Sequence, residues 1–277
     1  MEEPDKEFSL DSPKQKGLSR RPLAERMRSR SIDEVLGQEH ILGEGCLLPN
    51  LIRENRVSNL ILAGPPGSGK TTLANVIASE GKGKLLRINA VTSNAAELRD
   101  TLKLARYYGS ENCFLFVDEL HRFNKAQQDL LLPDVESGDV RLIGATTHNP
   151  RYYIIDPLLS RCQLLTLEPL PEAVIESALH LALKDTVRGL GTRNCSAKKS
   201  VTERIALLAE GDLRKGYNLI ETIVEALPDG SEVSEEHVAG FCRERSIRYD
   251  RDEDEHYNTA SALIKSMRGN DPNAYVY

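Results

Sequence analysis

The sequence predicts an α/β fold, with a parallel sheet of five strands followed by a small all-helical unit. Three observations lead there. Short apolar runs rich in β-type residues alternate with stretches of helical periodicity between residues 60 and 167, the pattern of a parallel sheet covered on both faces. The first of those runs leads straight into a glycine-rich loop that ends in Lys70-Thr71. After Pro169-Leu170-Pro171 only helical periodicities remain.

The expected strands are Leu60–Ala63, Leu85–Asn89, Cys113–Asp118, Val140–Thr146 and Cys162–Leu167. The expected helices between them are Lys70–Ser79, Ala95–Tyr108 and roughly Asn124–Leu132. Beyond the proline break, helices are expected at about 172–185, 200–210, 213–226 and 234–245, with Ser234 as a cap three residues before His237. The gly- and charge-bearing stretch Asp185–Lys199 reads as a loop, and a last helix is expected around His256–Met267. The organisation is then a polar, disordered lead-in (1–21), a nucleotide-binding α/β domain (22–170), a helical domain (171–245) and the start of a further helical region (246–277).

Gly64-Pro65-Pro66-Gly67-Ser68-Gly69-Lys70-Thr71, followed by Thr72, is the phosphate-binding loop of P-loop NTPases, set between a buried strand and a helix as the pattern requires. Glycines let successive backbone N–H groups turn toward a polyphosphate, and the helix beginning there adds the positive end of its dipole. Lys70 is suited to the β- and γ-phosphates and the Thr71 hydroxyl to Mg²⁺. At ordinary glycine frequency the bare pattern arises by chance in about one chain in a hundred of this length. Flanked by strand and helix, it points to ATP or GTP binding.

The run Cys113-Phe114-Leu115-Phe116-Val117 ends in Asp118-Glu119. A buried parallel strand has this composition, and its carboxyl end is where ligands sit in an open α/β sheet. Asp118 is placed to hold the Mg²⁺ shell and Glu119 to orient or deprotonate a water. His121 and Arg122 follow closely, but Glu119 already supplies a base, so they read as positioning or inter-subunit residues.

Composition excludes several classes. Charged residues make up 28% of 277 and the net charge is −6, so no global positive field draws the chain to nucleic acid or membrane. No apolar stretch approaches the roughly 20 residues of a membrane span, and the polar N-terminus is unlike a signal peptide. Cysteines 46, 113, 162, 195 and 242 are scattered and lack C-x-x-C spacing, unlike a disulfide frame or zinc site. The scattered cysteines read as reduced residues of a cytoplasmic protein. The densest positive patch is Lys14, Lys16, Arg20, Arg21, Arg26, Arg28 and Arg30, a local strip able to grip phosphates through counterion release.

The phosphate loop, Asp118-Glu119, the strand ending Gly144-Ala145-Thr146-Thr147-His148-Asn149-Pro150, and Leu159-Ser160-Arg161-Cys162 follow in the order of clamp-loader-type AAA+ ATPases. Within that group His121-Arg122-Phe123-Asn124-Lys125-Ala126-Gln127-Gln128-Asp129 resembles a signature of the RarA/MgsA family, the replication-associated recombination ATPases. Pro22-Leu23-Ala24-Glu25-Arg26-Met27-Arg28, Gly37-Gln38-Glu39-His40 and Lys265-Ser266-Met267-Arg268-Gly269 resemble it too.

The resemblance implies a DNA-dependent AAA+ ATPase of replication-fork maintenance, recombination and repair, using ATP and Mg²⁺ at a subunit interface. It implies roles for single residues. Thr147 resembles the first sensor, with adjacent Thr146 as the alternative that one sequence does not resolve. Arg161 resembles an arginine finger acting on a neighbouring subunit, and Arg214 the second sensor at the start of a lid helix. Asn89 stands where related ATPases hold the catalytic glutamate inactive. Around Arg214 the chain departs from the family pattern at Leu213 and Lys215-Gly216-Tyr217, which puts the lid packing in question. Expected partners are DNA with single-strand/double-strand junctions, replication proteins such as single-strand-binding protein, and further copies of the chain. Family members continue well past the Lys265–Gly269 motif into an oligomerising helical domain, so this chain is expected to be C-terminally shortened. A clamp-loader-like ATP-binding switch without turnover of its own is the alternative.

Overall fold

Strand by strand, burial follows position in the sheet. The computed structural model describes residues 21–241. Short helices α1 (Leu23–Arg26), α2 (Glu39–Leu42) and α3 (Leu48–Arg53) precede β1 (Leu60–Ala63) and α4 (Lys70–Glu80). Then come β2 (Lys84–Asn89), α5 (Ala95–Tyr108), β3 (Cys113–Asp118), α6 (Lys125–Asp129), α7 (Leu132–Ser137) and β4 (Arg141–Thr146). Two one-turn helices, α8 (Pro150–Tyr153) and α9 (Asp156–Leu159), lead to β5 (Gln163–Thr166). The five strands are parallel, in the order β2-β3-β4-β1-β5.

Central β1 is buried at every position, whereas edge strands β2 and β5 are largely exposed or half-buried, as a sheet covered on both faces requires. Alternate residues supply two cores. Leu60, Leu62, Phe114, Phe116, Ile143 and Ala145 pack against Leu73, Ala74, Val76 and Ile77 of α4. Ile61, Leu115, Val117 and Leu142 pack on the other face with Leu98, Leu102 and Ala105 of α5. Helix α5 starts from a capping box, the Asn94 side chain accepting from the backbone of Glu97 and the Glu97 carboxylate accepting from Asn94 N–H.

The helix expected over Asn124–Leu132 is two helices, α6 and α7. Pro133 lies in the first turn of α7, where it has no need of an N–H but cannot extend a helix from before it. The other strands and helices of this domain agree with expectation to within a residue or two at their ends.

The lid holds α10 (Glu172–Lys184), β6 (Ser196–Ala197), α11 (Lys199–Ala209), α12 (Leu213–Ala226) and β7 (Glu232–Val233), then a helical segment over 235–241. Its three main helices meet where expected, and the Ser234 hydroxyl accepts from His237 N–H at 3.4 Å. The stretch read as a loop contains β6, which pairs with β7 in a two-residue parallel ladder. Expectations for residues 246–277, and for Lys14, Lys16 and Arg20, lie outside the described residues.

The lid core also takes in Leu23 and Met27. Helix α1 is fastened to α12: Leu23 N–H donates to Glu221, whose carboxylate also accepts from Arg26 at 3.0 Å. Arg26 donates further to the carbonyls of Arg188 and Gly189. Helix α1 is therefore built into the lid, while Ile32, Leu48, Ile52 and Val57 further along the same segment pack in the sheet core.

Gly216 explains the departure around Arg214. A Cβ there would stand 3.3 Å from Ile175 and 3.6 Å from Ala209, so the glycine is where α12 closes on α10 and α11. The close approach offsets the roughly 1 kcal/mol that glycine costs a helix interior.

Candidate active site

The loop after β1 opens at the carboxyl edge of the sheet, with α4 starting at Lys70 and Gly69 in left-handed backbone (φ +102°) before it. The first backbone N–H groups of α4 have no partner within the helix, and Gly69, Lys70, Thr71 and Thr72 line a cavity of about 370 Å³. Gly67 (φ +70°) has no room for a side chain, since a Cβ would run into the Asp212 carboxylate just before α12. Asp212 caps α12 by accepting from Arg214 and Lys215 N–H. Loop and lid thus meet at one point.

The cavity brings together Pro66–Thr72, Asp118, Glu119, Thr147 and Arg214. Gly64 and Pro65 touch its contents indirectly: their carbonyls accept from the Lys70 ammonium, each at 2.7 Å. Burial pushes the Lys70 pKa down, against the pull of Glu119 and Asp118. Burial, and next the neighbouring Glu119, push the Asp118 carboxyl up. Asp118 accepts from Glu119 N–H at 3.1 Å. Glu119 itself has left-handed backbone (φ 53°), a conformation costing about 1–3 kcal/mol that persists where the surroundings impose it. Here Leu120, fully buried, packs where a Cβ of Gly144 would otherwise be.

The adjacent threonines separate cleanly. Thr147 lines the cavity and its hydroxyl donates to Glu119 Oε2 at 3.3 Å. Thr146 is fully buried behind it, accepting from His148 N–H and bonded to His121 Nδ1 at 3.0 Å. Asn89 does not reach Glu119: its side-chain oxygen accepts from Val91 N–H at 2.8 Å, closing its own turn. Among the described residues the Glu119 carboxylate instead accepts from Thr147, and His121 Nδ1 lies 3.3 Å from it.

Arg161 lies outside the cavity, donating to Pro157 O and pairing with Glu136 at 2.6 Å. The basic patch divides. Arg26 is consumed by the lid, and Arg28 lines the cavity, paired with Glu25 at 2.8 Å and acted on by the charges of Arg87, Arg214 and Asp118. Arg21 and Arg30, at either end of the described part of the patch, are exposed.

Several contributors were not foreseen. The cavity is also lined by apolar Pro22, Met27, Val35, Leu36, Leu170, Leu213 and Tyr217 from three separated segments, beside the polar Glu25, Arg28, Ser29 and Asn218. Buried Gln38 ties the loop down, its amide donating to Ser68 O and Glu168 O while its oxygen accepts from Glu168 N–H. Its place in Gly37-Gln38-Glu39-His40 was the only signal available.

The residues fit a magnesium nucleotide. Ser68 Oγ is buried without a protein partner, among backbone N–H groups suited to phosphate oxygens. Thr71 and Asp118 are the hard oxygen donors that Mg²⁺ takes while retaining water. The apolar lining matches a flat base.

Comparison with known proteins agrees. Residues 60–169 match the model of the ATPase family associated with various cellular activities (AAA), and 191–268 that of the AAA C-terminal domain. The chain is 40% identical over 262 residues to replication-associated recombination protein A of Escherichia coli K12, covering 92% of this chain and 59% of that protein. With the protein of the same name from Haemophilus influenzae the identity is 39%, covering 92% and 58%. The chain thus carries an AAA domain and an AAA C-terminal domain and is similar over 92% of its length to replication-associated recombination protein A. It spans about three fifths of the length of these relatives. The fold is also that of Thermotoga maritima RuvB, a Holliday junction branch migration motor, at TM-score 0.63 and 26% identity over 78% of this chain and 72% of that one. The phosphate loop, Asp118, Glu119 and Thr147 all lie within the residues that match the AAA model. No helix among the described residues is long and apolar enough to cross a membrane.

Proposed function

We propose that this chain binds MgATP in the cavity between sheet and lid and hydrolyses it, acting on DNA in replication-associated recombination and repair. The observation that carries the reading is the convergence of phosphate loop, Asp118, Glu119, Thr147 and Arg214 on one cavity that also has an apolar lining. The loop and the start of α4 take the phosphates, with Lys70 turning from its two carbonyls to do so. Thr71 and Asp118 hold Mg²⁺, which supplies charge neutralisation at the phosphates. Glu119, aligned by Thr147, orients the attacking water and accepts its proton. Arg214 ties the lid to the phosphate end.

Arg161 acts in trans in this reading, leaving Glu136 for the cavity of a neighbouring copy; such a finger contributes about 10³–10⁵ in turnover where it operates. Homo-oligomers, DNA carrying single-strand/double-strand junctions, single-strand-binding protein and a cytoplasmic, nucleoid-associated location belong to the same proposal. A second reading, an ATP-binding switch without turnover of its own, has one observation in its favour: Arg161 is outside the chain's own cavity and paired with Glu136.

Steady-state ATP hydrolysis across protein concentrations, with and without junction DNA, separates the two, with Glu119→Gln as the blank. Turnover that rises with DNA and more than linearly with protein supports the motor. Tight ATP binding with turnover at the blank's level leaves the switch.

A further inference from the structure

Behind Glu119 lies a group of side chains that phosphate binding does not use. The His121 side chain is only 4% exposed, and its Nδ1 lies 3.3 Å from Glu119 Oε2 and 3.0 Å from Thr146 Oγ1. His148 stacks on it with ring centroids 4.1 Å apart and 39° between planes, and bonds Thr147 Oγ1 through its own Nδ1 at 3.3 Å. Tyr153 of α8 packs edge-on to both rings. Two histidines and two threonines therefore surround one carboxylate.

Hydrogen-bond chemistry sets the direction of the central contact. An ionised carboxylate only accepts, so His121 can hold Glu119 only with a proton on Nδ1, the atom 3.3 Å from Oε2. The Thr146 hydroxyl already takes the His148 N–H and has a lone pair left for the same His121 Nδ1–H. Thr147 O–H donates to this carboxylate, and His121 Nδ1, bonded to Thr146 Oγ1, lies 3.3 Å from it.

We propose that His121 is a positioning residue for hydrolysis, its Nδ1–H holding the Glu119 carboxylate in the orientation that Thr147 shares. The proposal rests on the reading of Glu119 as the water-directing base. The left-handed backbone of Glu119 turns its side chain back over the turn containing His121, and Gly144 lets Leu120 lock that turn onto the sheet. A positive charge on the His121 ring is disfavoured, first by burial and then by the stacked His148 and by Arg122. The groups facing the His121 ring are Glu119, Arg122, His148, Thr146 and Tyr153.

Two variants and one spectroscopic readout test this. Asparagine can present an N–H near the position of Nδ1, and leucine cannot. His121→Leu is expected to lower kcat about tenfold or more with KM for ATP nearly unchanged, while His121→Asn retains most of the turnover. Imidazole ¹⁵N spectra of the full chain should show His121 in the Nδ1–H tautomer, and Glu119→Ala should shift it toward the Nε2–H form. Equal loss in the leucine and asparagine variants, or a change confined to KM, overturns the proposal. So does a tautomer unmoved by Glu119→Ala, whatever the kinetics show. If the wild-type chain hydrolyses no ATP, the functional reading fails separately and the tautomer alone decides the inference; the same holds if His121→Leu does not fold.

Discussion

The two ends of the cavity are built in different ways. The phosphate end comes mostly from contiguous residues, 64–72, with Asp118 and Glu119 at the end of one strand and Thr147 one residue past the end of another. The apolar end is assembled from residues 22–36, Leu170 and 213–217, and more than half of it belongs to segments packed in or against the lid core. Apart from Arg214, the phosphate end stands on the sheet, and most of the other end belongs to the lid. Interactions that discriminate ATP from ADP therefore concentrate on the sheet, while affinity common to both nucleotides depends on where the lid stands.

Substitutions at each end sharpen that contrast. Glu119→Gln should lower turnover by about 10²–10⁴, the usual contribution of a positioned base, with ATP affinity retained; phosphate release and equilibrium binding of a fluorescent nucleotide measure the two. Lys70→Ala should weaken ATP by about 10–100-fold, from the loss of charge-assisted hydrogen bonds worth about 1.5–3 kcal/mol, and weaken ADP less. Leu36→Ala at the other end should weaken ATP and ADP alike, by about 5–20-fold for a half-buried side chain. Titrations showing a strong ATP/ADP bias for Leu36→Ala would break the division.

The smallest effect concerns stability. Asp118 has a folded pKa above its ordinary value, because burial and then Glu119 disfavour its charge. A raised carboxylate pKa makes ionisation a cost to the folded state, absent below the unfolded pKa and growing as pH rises through the folded one. Asp118→Asn should therefore melt higher than wild type at pH 7.5, by about 1–3 °C given the half-exposed setting. The advantage should shrink toward pH 4. Thermal melts over that range check the sign, and a variant less stable at neutral pH would show that Asp118 supports the fold.

What the sequence disclosed and what it hid follow the same division. The phosphate loop, the five strands and the Asp118-Glu119 pair were legible because each is a local pattern whose chemistry is complete within a few residues. The break between α6 and α7 was legible only at Pro133, since the apolar run Leu130-Leu131-Leu132 continues the helical period across it. Arg26 and Arg28 looked like one surface strip because adjacent charges do not reveal that a one-turn helix sends one into the lid and the other into the cavity. Gln38, Leu36 and Tyr217 meet the site through contacts more than a hundred residues apart in places. Asn89 was assigned by analogy of position, and only the geometry of its own turn shows its amide engaged elsewhere.

The contact between Gly67 and Asp212 makes the lid a lever with its fulcrum on the phosphate loop. Helix α12, 14 residues long, extends ~21 Å from that point at 1.5 Å per residue, so a tilt of ~5° sweeps its far end by ~2 Å. Helix α1 rides on that arm through Glu221. Displacements at the loop no larger than a bond length would be magnified there.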